Sequence, residues 1–248
     1  MLDPRRAGYL DAMGIDVYVR RDRPALPGPA DEPQPAAADA SPVACAAAES
    51  SGDASGLDWD GLQARVASCV RCGLHATRTQ TVFGVGNRRA RWMFIGEAPG
   101  AEEDKQGEPF VGRAGQLLTS MLKALGLRRE DVYIANVLKC RPPGNRDPKP
   151  EEARACRGYL ERQIELVSPA LIVAVGRIAA QNLLGTDAAL ARLRGRVHPL
   201  GEHRWPLLVT YHPAYLLRSP GEKRKAWQDL LLARQLVGRL ERGEQVLP

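Results

Sequence analysis

Aromatic side chains are scarce in this chain: Phe, Trp and Tyr make up 5% of its 248 residues, with only three Phe. A ring outside an obvious apolar run is therefore a candidate for stacking on a planar ligand. Long hydrophobic runs are also missing, and nothing approaches the roughly 20 apolar residues of a membrane span. The opening MLDPRRAGYL lacks the apolar core of a secretory signal, so a cytosolic protein with no membrane partner is expected. Five cysteines in a reducing compartment read as metal ligands or bystanders, not as a disulfide framework. Leu, Val and Ile are plentiful and no fixed period recurs, which excludes collagen, coiled coil and a wholly disordered chain.

Basic residues are absent from one stretch. Residues 24–58 hold no Lys or Arg but six acids: Asp31, Glu32, Asp39, Glu49, Asp53 and Asp58. The stretch is rich in Ala and Pro and poor in large apolar side chains. It cannot bury enough surface to offset its ordering entropy, so it reads as a disordered linker. Residues 1–23 have some apolar patterning and read as a short segment that docks on the domain or on a replication or repair partner. The folded domain is expected over 59–248, as a monomer. With +1 on residues 1–23 and −6 on 24–58, a chain total of +6 leaves +11 on that domain. A surface so basic suits a polyanion, nucleic acid first among them, although it also serves plain solubility.

Four short apolar runs within 59–248 have strand length: Trp92–Ile95, Val132–Ala135, Leu171–Val175 and Leu207–Thr210. Each is continuous, as a strand buried on both faces should be. Helical patterns lie between them. Leu117, Leu118, Met121, Leu122 and Leu125 share a face, as do Ala153, Cys156, Leu160, Ile164 and Val167 after Pro150. A last helix would bury Trp227, Leu230, Ala233, Val237 and Leu240. The expected fold is α/β, a three-layer αβα sandwich around a four-stranded parallel sheet. Ligands of such sheets bind beyond the carboxyl ends of the strands. There the sequence places Glu97 in Gly96-Glu97-Ala98-Pro99-Gly100, then Asn136, then His212. Singly these suit a helix cap, a turn and a loop histidine. Together they place a carboxylate, a carboxamide and an imidazole on one rim.

Cys69 and Cys72 form a C-x2-C pair, Cys140 follows the second strand, and Cys156 lies 16 positions beyond it. Spacing alone suits zinc or an iron–sulfur cluster equally, and Cys156 on an apolar face equally suits a core cysteine. Cys45, in the linker, has no partner.

Three segments carry a resemblance: GEAPGAEEDKQGEPFVGRAG (Gly96–Gly115), YIANVLKCRPPGNR (Tyr133–Arg146) and HPAYLLRSP (His212–Pro220). In order and content they resemble family 4 uracil-DNA glycosylases, over about residues 59–240. The resemblance implies a base-excision enzyme acting on uracil in single- or double-stranded DNA. It also implies a [4Fe-4S] cluster on Cys69, Cys72, Cys140 and Cys156. Phe110 would stack on an everted base, Asn136 would read its edge, His212 would donate to O2, and Glu97 would place the water. Gly96, Ala98 and Gly100 would allow close approach, and Glu103 would line the far side of the pocket. Better-known uracil glycosylases carry an Asp and a bulky Tyr where this chain has Ala98 and Gly100, which removes a filter against the thymine methyl. Tyr215, Leu216 and Leu217 are the candidate wedge for the gap left in the DNA. Arg146, Arg218, Lys223, Arg224 and Lys225 are candidate phosphate contacts. Two rival readings are a related branch that traps uracil-DNA without turnover, and a non-enzymatic iron–sulfur adaptor.

Overall fold

The structure, a computed structural model, describes residues 54–247. The expectations for residues 1–23, and for the linker up to residue 53, lie outside the described residues. Packing onto the domain begins before Trp59: Ala54 is buried, and the Leu57 carbonyl accepts from Arg162 Nε at 2.7 Å.

The apolar runs form strands in the middle of one sheet. In chain order the strands are β1 (Val85–Gly86), β2 (Trp92–Gly96), β3 (Tyr133–Asn136), β4 (Leu171–Val175), β5 (Val197–Leu200) and β6 (Trp205–Thr210). They lie in the order β1-β3-β2-β4-β6-β5. The inner four are parallel, while β1 and β5 run antiparallel at the two edges. The sheet is therefore six-stranded and mixed, not four-stranded and parallel. Both additions escape an apolar-run reading for a physical reason. Edge strands need not be buried on two faces: β1 has two residues and β5 (Val-His-Pro-Leu) is half-exposed.

The helices are α1 (Trp59–Ala67), α2 (Ala101–Gln106), α3 (Arg113–Ala124), α4 (Pro150–Val167), α5 (Arg177–Leu184), α6 (Leu190–Leu193), α7 (Pro213–Arg218) and α8 (Lys223–Glu241). Alternation along the strands divides the core. Met93, Ile95, Ile172 and Ala174 face α4 and α5, while Phe94, Ile134, Val173 and Leu208 face α3 and α8. At roughly 1.5–3 kcal/mol for each large apolar side chain buried, these two layers supply most of the drive to fold. Helix α8 buries Leu230, Ala233 and Val237 as expected, with Ala226 and Leu236 beside them, whereas Trp227 is 36% exposed and Leu240 half-buried. No helix among the described residues is long and apolar enough to cross a membrane.

The connection leaving β2 runs to the α3 face, and those leaving β3 and β4 run to the α4 and α5 face. Connections that diverge in this way mark the carboxyl end of β2 as the place where such sheets bind ligands.

Candidate functional site

Gly96 ends β2 and pairs with Asn136, which ends β3. The ladder continues past both: Val137 N–H donates to the Gly96 carbonyl at 2.9 Å, and Leu138 N–H to that of Glu97 at 3.0 Å. Asn136 is thus fixed from both sides. Its side chain is 2% exposed, yet Oδ1 has no hydrogen-bond partner. A buried, unpaired carbonyl oxygen costs about 1–3 kcal/mol, so such atoms persist chiefly where a ligand supplies the donor. Gly96 is required at this point. A β-carbon there would stand 2.5 Å from Asn136 Oδ1 and 2.6 Å from Phe110 Cζ.

Phe110 is buried in the α3 layer, but it is not simply core. Its φ of +56° is a left-handed conformation that a bulky residue adopts only at a cost of roughly 1–3 kcal/mol. Surrounding contacts impose that conformation. Gly115 has no β-carbon to collide with the Phe110 carbonyl, and the Arg129 guanidinium donates to the Pro109 carbonyl. Glu103 braces the same loop. Its Oε1 accepts from Val111 N (3.0 Å) and Gly112 N (3.2 Å), and its Oε2 accepts from Gly100 N (3.1 Å). Glu103 therefore ties the Gly96–Gly100 turn to the Phe110 loop, with its oxygens committed to backbone rather than turned to a ligand. Gly100 is the N-cap of α2, and Ala98 packs into the cluster around α1.

His212 stands at the N-cap of α7. Its Nδ1 accepts from Ala214 N–H at 3.1 Å, which places the proton on Nε2. Burial pushes its pKa down to about 4, aided by Arg218 and opposed by Glu103, so the ring is neutral at physiological pH. The ring lies beside that of Phe110, with centroids 5.6 Å apart and planes tilted by 32°. Gly176 lets it sit close to the end of β4, since a β-carbon there would come within 2.9 Å of His212 Cβ. Asn136, Phe110, Gly96 and His212 therefore form one continuous constellation.

Glu97 follows Gly96 directly. Its carboxyl is pushed up to about 7, first by burial and then by Asp147, with Arg177 pulling the other way. Arg177 pairs with Asp147 at 3.3 Å. A carboxyl poised near neutrality is suited to accept a proton or orient a water.

On the rim, Leu216 is not the wedge that the sequence suggested. It is 1% exposed and belongs to the core, because α7 turns that one residue inward. Its neighbours Tyr215 and Leu217 are exposed at 38% and 36%. Tyr215 stacks on Tyr211 at 5.3 Å, and Arg194 lies over the Tyr211 ring at 4.3 Å. Arg146 is not free to hold phosphate as expected: it forms a two-pronged pair with the Glu152 carboxylate (2.9 and 2.5 Å) and pins the start of α4. Lys225 pairs with Glu222, whereas Arg218, Lys223 and Arg224 are exposed.

Four thiols line a single small cavity: Cys69, Cys72, Cys140 and Cys156. Arg78 Nη1 donates to Cys140 Sγ at 3.1 Å, and Leu74, Lys139 and Tyr159 lie beside Cys72, Cys156 and Cys69. Donors aimed at sulfur stabilise ligating thiolates, so the donor set fits a thiolate-bound group. Among the described residues no three His, Cys, Asp or Glu side chains are placed to grip a single ion. Burial pushes the Cys156 thiol up to about 12.

Comparison with known proteins bears on this arrangement. Residues 83–231 match the model of the uracil DNA glycosylase superfamily. The type-4 uracil-DNA glycosylase of Archaeoglobus fulgidus is 47% identical over 188 residues, which cover 73% of this chain and 94% of that protein. Those of Thermotoga maritima (46% identical, covering 70% of this chain and 91% of the relative) and Sulfurisphaera tokodaii (42%, covering 71% and 83%) are similar over much the same span. The chain belongs to the type-4 branch of the uracil-DNA glycosylase superfamily.

Within this type-4 glycosylase domain several supporting residues have no signature in the sequence. Lys139 reads as a surface residue, yet it is 1% exposed and its pKa is lowered to about 7 by burial. Asp229, in an otherwise apolar stripe of α8, accepts from Arg194 and from Thr210 Oγ1 two residues before His212. Arg177 begins α5 just after β4. The one available hint was their position, next to the strand ends that bear the polar rim.

Proposed function

We propose that this constellation everts uracil from DNA and hydrolyses its N-glycosidic bond, leaving an abasic site. The observation that carries this reading is the unpartnered Asn136 Oδ1, buried beside Phe110 and His212. Oδ1 accepts from uracil N3–H while the Asn136 amide donates to O4; cytosine offers the opposite pattern. Phe110 supplies a face for the base, and such stacking contributes about 1–3 kcal/mol. As the C1′–N1 bond breaks, negative charge spreads onto the departing base. His212 Nε2–H donates to O2 and stabilises that charge as a neutral group. Glu97 orients the water whose oxygen bonds to C1′ and takes up its proton.

Tyr215 and Leu217 fill the gap left by the everted nucleotide, and Arg218, Lys223 and Arg224 contact phosphate. Cys69, Cys72, Cys140 and Cys156 hold a [4Fe-4S] cluster. When bound, the cluster cross-links the Cys69–Cys72 loop to the end of β3 and to α4. The protein acts as a monomer within the cytoplasm.

One assay tests the reading. A uracil-containing oligonucleotide is incubated with the protein and then treated with alkali. Strand scission at the uracil, lost in Asn136→Ala and His212→Ala, is expected. An intact strand with wild-type protein overturns it.

A further inference from the structure

Three residues separate Asn136 from Cys140, and one of them reaches both ways. Lys139 Nζ donates back to the main-chain carbonyl of Asn136 at 2.9 Å and to Gln163 Oε1 at 2.6 Å. Its side chain lines the cavity of the four cysteines, beside Cys140 and Cys156. Gln163 is fully buried as well and is held in turn, donating to the Phe83 carbonyl (2.9 Å) and to the Tyr133 hydroxyl (3.1 Å). The network fixes the last carbonyl of β3 to α4 and to the sulfur cavity.

Both acceptors of Lys139 Nζ, a main-chain carbonyl and an amide oxygen, are neutral. The same side chain lines the cavity of the four cysteines, so what fills that cavity bears on where Nζ stands beside the Asn136 carbonyl. We propose that Lys139 is a positioning residue that couples occupancy of the cysteine cavity to the placement of the Asn136 carboxamide. The inference rests on the reading above, in which Asn136 contacts the base and the four cysteines are ligands. It adds that the sulfur site, through Lys139, sets how well the base is read.

The test uses purified, cluster-loaded full chain and free uracil as a competitive inhibitor of excision, because free uracil probes the base pocket without DNA. Lys139→Met keeps the length of the side chain and removes its donors. It is expected to retain visible absorbance like that of wild type while weakening inhibition by uracil at least tenfold. Lys139→Gln, which restores a neutral donor, gives a smaller loss and serves in its place if the Met variant does not accumulate. Uracil inhibition equal to wild type in whichever variant is obtained overturns the proposal. So does weakened inhibition that appears only with loss of visible absorbance, because that marks a merely structural role. Asn136→Ala, which has no excision left to inhibit, is the control by direct calorimetric titration with free uracil: uracil affinity equal to that of wild type refutes the reading of Asn136 itself, whatever the Lys139 variants do.

Discussion

Asn136 Oδ1 occupies space that a β-carbon on Gly96 would invade at 2.5 Å, although the two residues are partners in adjacent strands. The carboxamide proposed to read the base and the residue that leaves room for it are thus fixed by the same ladder. Gly96→Ala forces either the carboxamide or the Phe110 ring to move. Overpacking of this kind costs about 1–3 kcal/mol of stability. The loss in chemistry should be larger, since displacing one aligned group commonly costs about 100-fold in rate. Single-turnover excision should fall by about that factor while thermal unfolding shifts by only a few degrees.

Glu97 gives the pH dependence a direction. If Glu97 orients the water as proposed, its ionised form does so, and its pKa is raised to about 7. The single-turnover rate should climb about tenfold per pH unit below that point and level off above it. His212, near 4, stays neutral over this range and adds no second limb. Stability runs the opposite way. A carboxyl whose folded pKa is raised contributes stability that is complete below its unfolded pKa and disappears as pH rises through about 7. Glu97→Gln should therefore be slow at every pH yet melt higher than wild type at about pH 8. A wild-type rate that is flat from about pH 5.5 to 8 contradicts this role.

Colour tests the cysteine site. The protein as purified should be brown, with visible absorbance that fades when the iron is removed by an oxidant and a chelator. Cys140→Ala should abolish the colour, and Arg78→Ala, which removes the donor to Cys140 Sγ, should speed its loss. A colourless protein containing one zinc per chain refutes the iron–sulfur assignment.

Much of the fold was open to a reading of residue types, because strands buried on two faces must be continuously apolar. The edge strands were not: a two-residue bridge and a Pro-containing half-exposed strand carry no such run. Leu230, Ala233 and Val237 of α8 were legible, but the edge of its stripe was not: Asp229 is turned inward, where Arg194 and Thr210 satisfy it, and Trp227 is turned out. Asn136 and His212 were legible because each ends an apolar run. Lys139 and Glu103 were not recognisable as braces, since burial of a charged side chain depends on partners 24 residues and up to nine residues away. Arg146 looked like a phosphate contact for the same reason: its pairing with Glu152 is a property of how the loop meets α4.

Helix α7 buries Leu216 and leaves Tyr215 and Leu217 exposed. Leu217→Ala and Tyr215→Ala should slow excision from duplex DNA several-fold and leave single-stranded substrate nearly unaffected, because only a duplex holds the base in place and must be filled behind it. Leu216→Ala should reverse the pattern, destabilising the fold by about 2–5 kcal/mol and affecting both substrates equally. Equal single-strand and duplex effects for Leu217→Ala would show that this face does not enter the stack.

Charge determines how the enzyme finds DNA. Each phosphate contact releases condensed counterions, so affinity falls with salt at a slope of about −0.9 per contact on duplex DNA and −0.7 on single strands. If Arg218, Lys223 and Arg224 all contact phosphate, the triple alanine variant should flatten the duplex slope by about 2.7 relative to wild type. Arg146→Ala should instead lower stability and change the slope little, because its guanidinium is committed to Glu152. A titration of fluorescent DNA at several salt concentrations separates the two. An unchanged slope in the triple variant would place the phosphate track elsewhere on the domain.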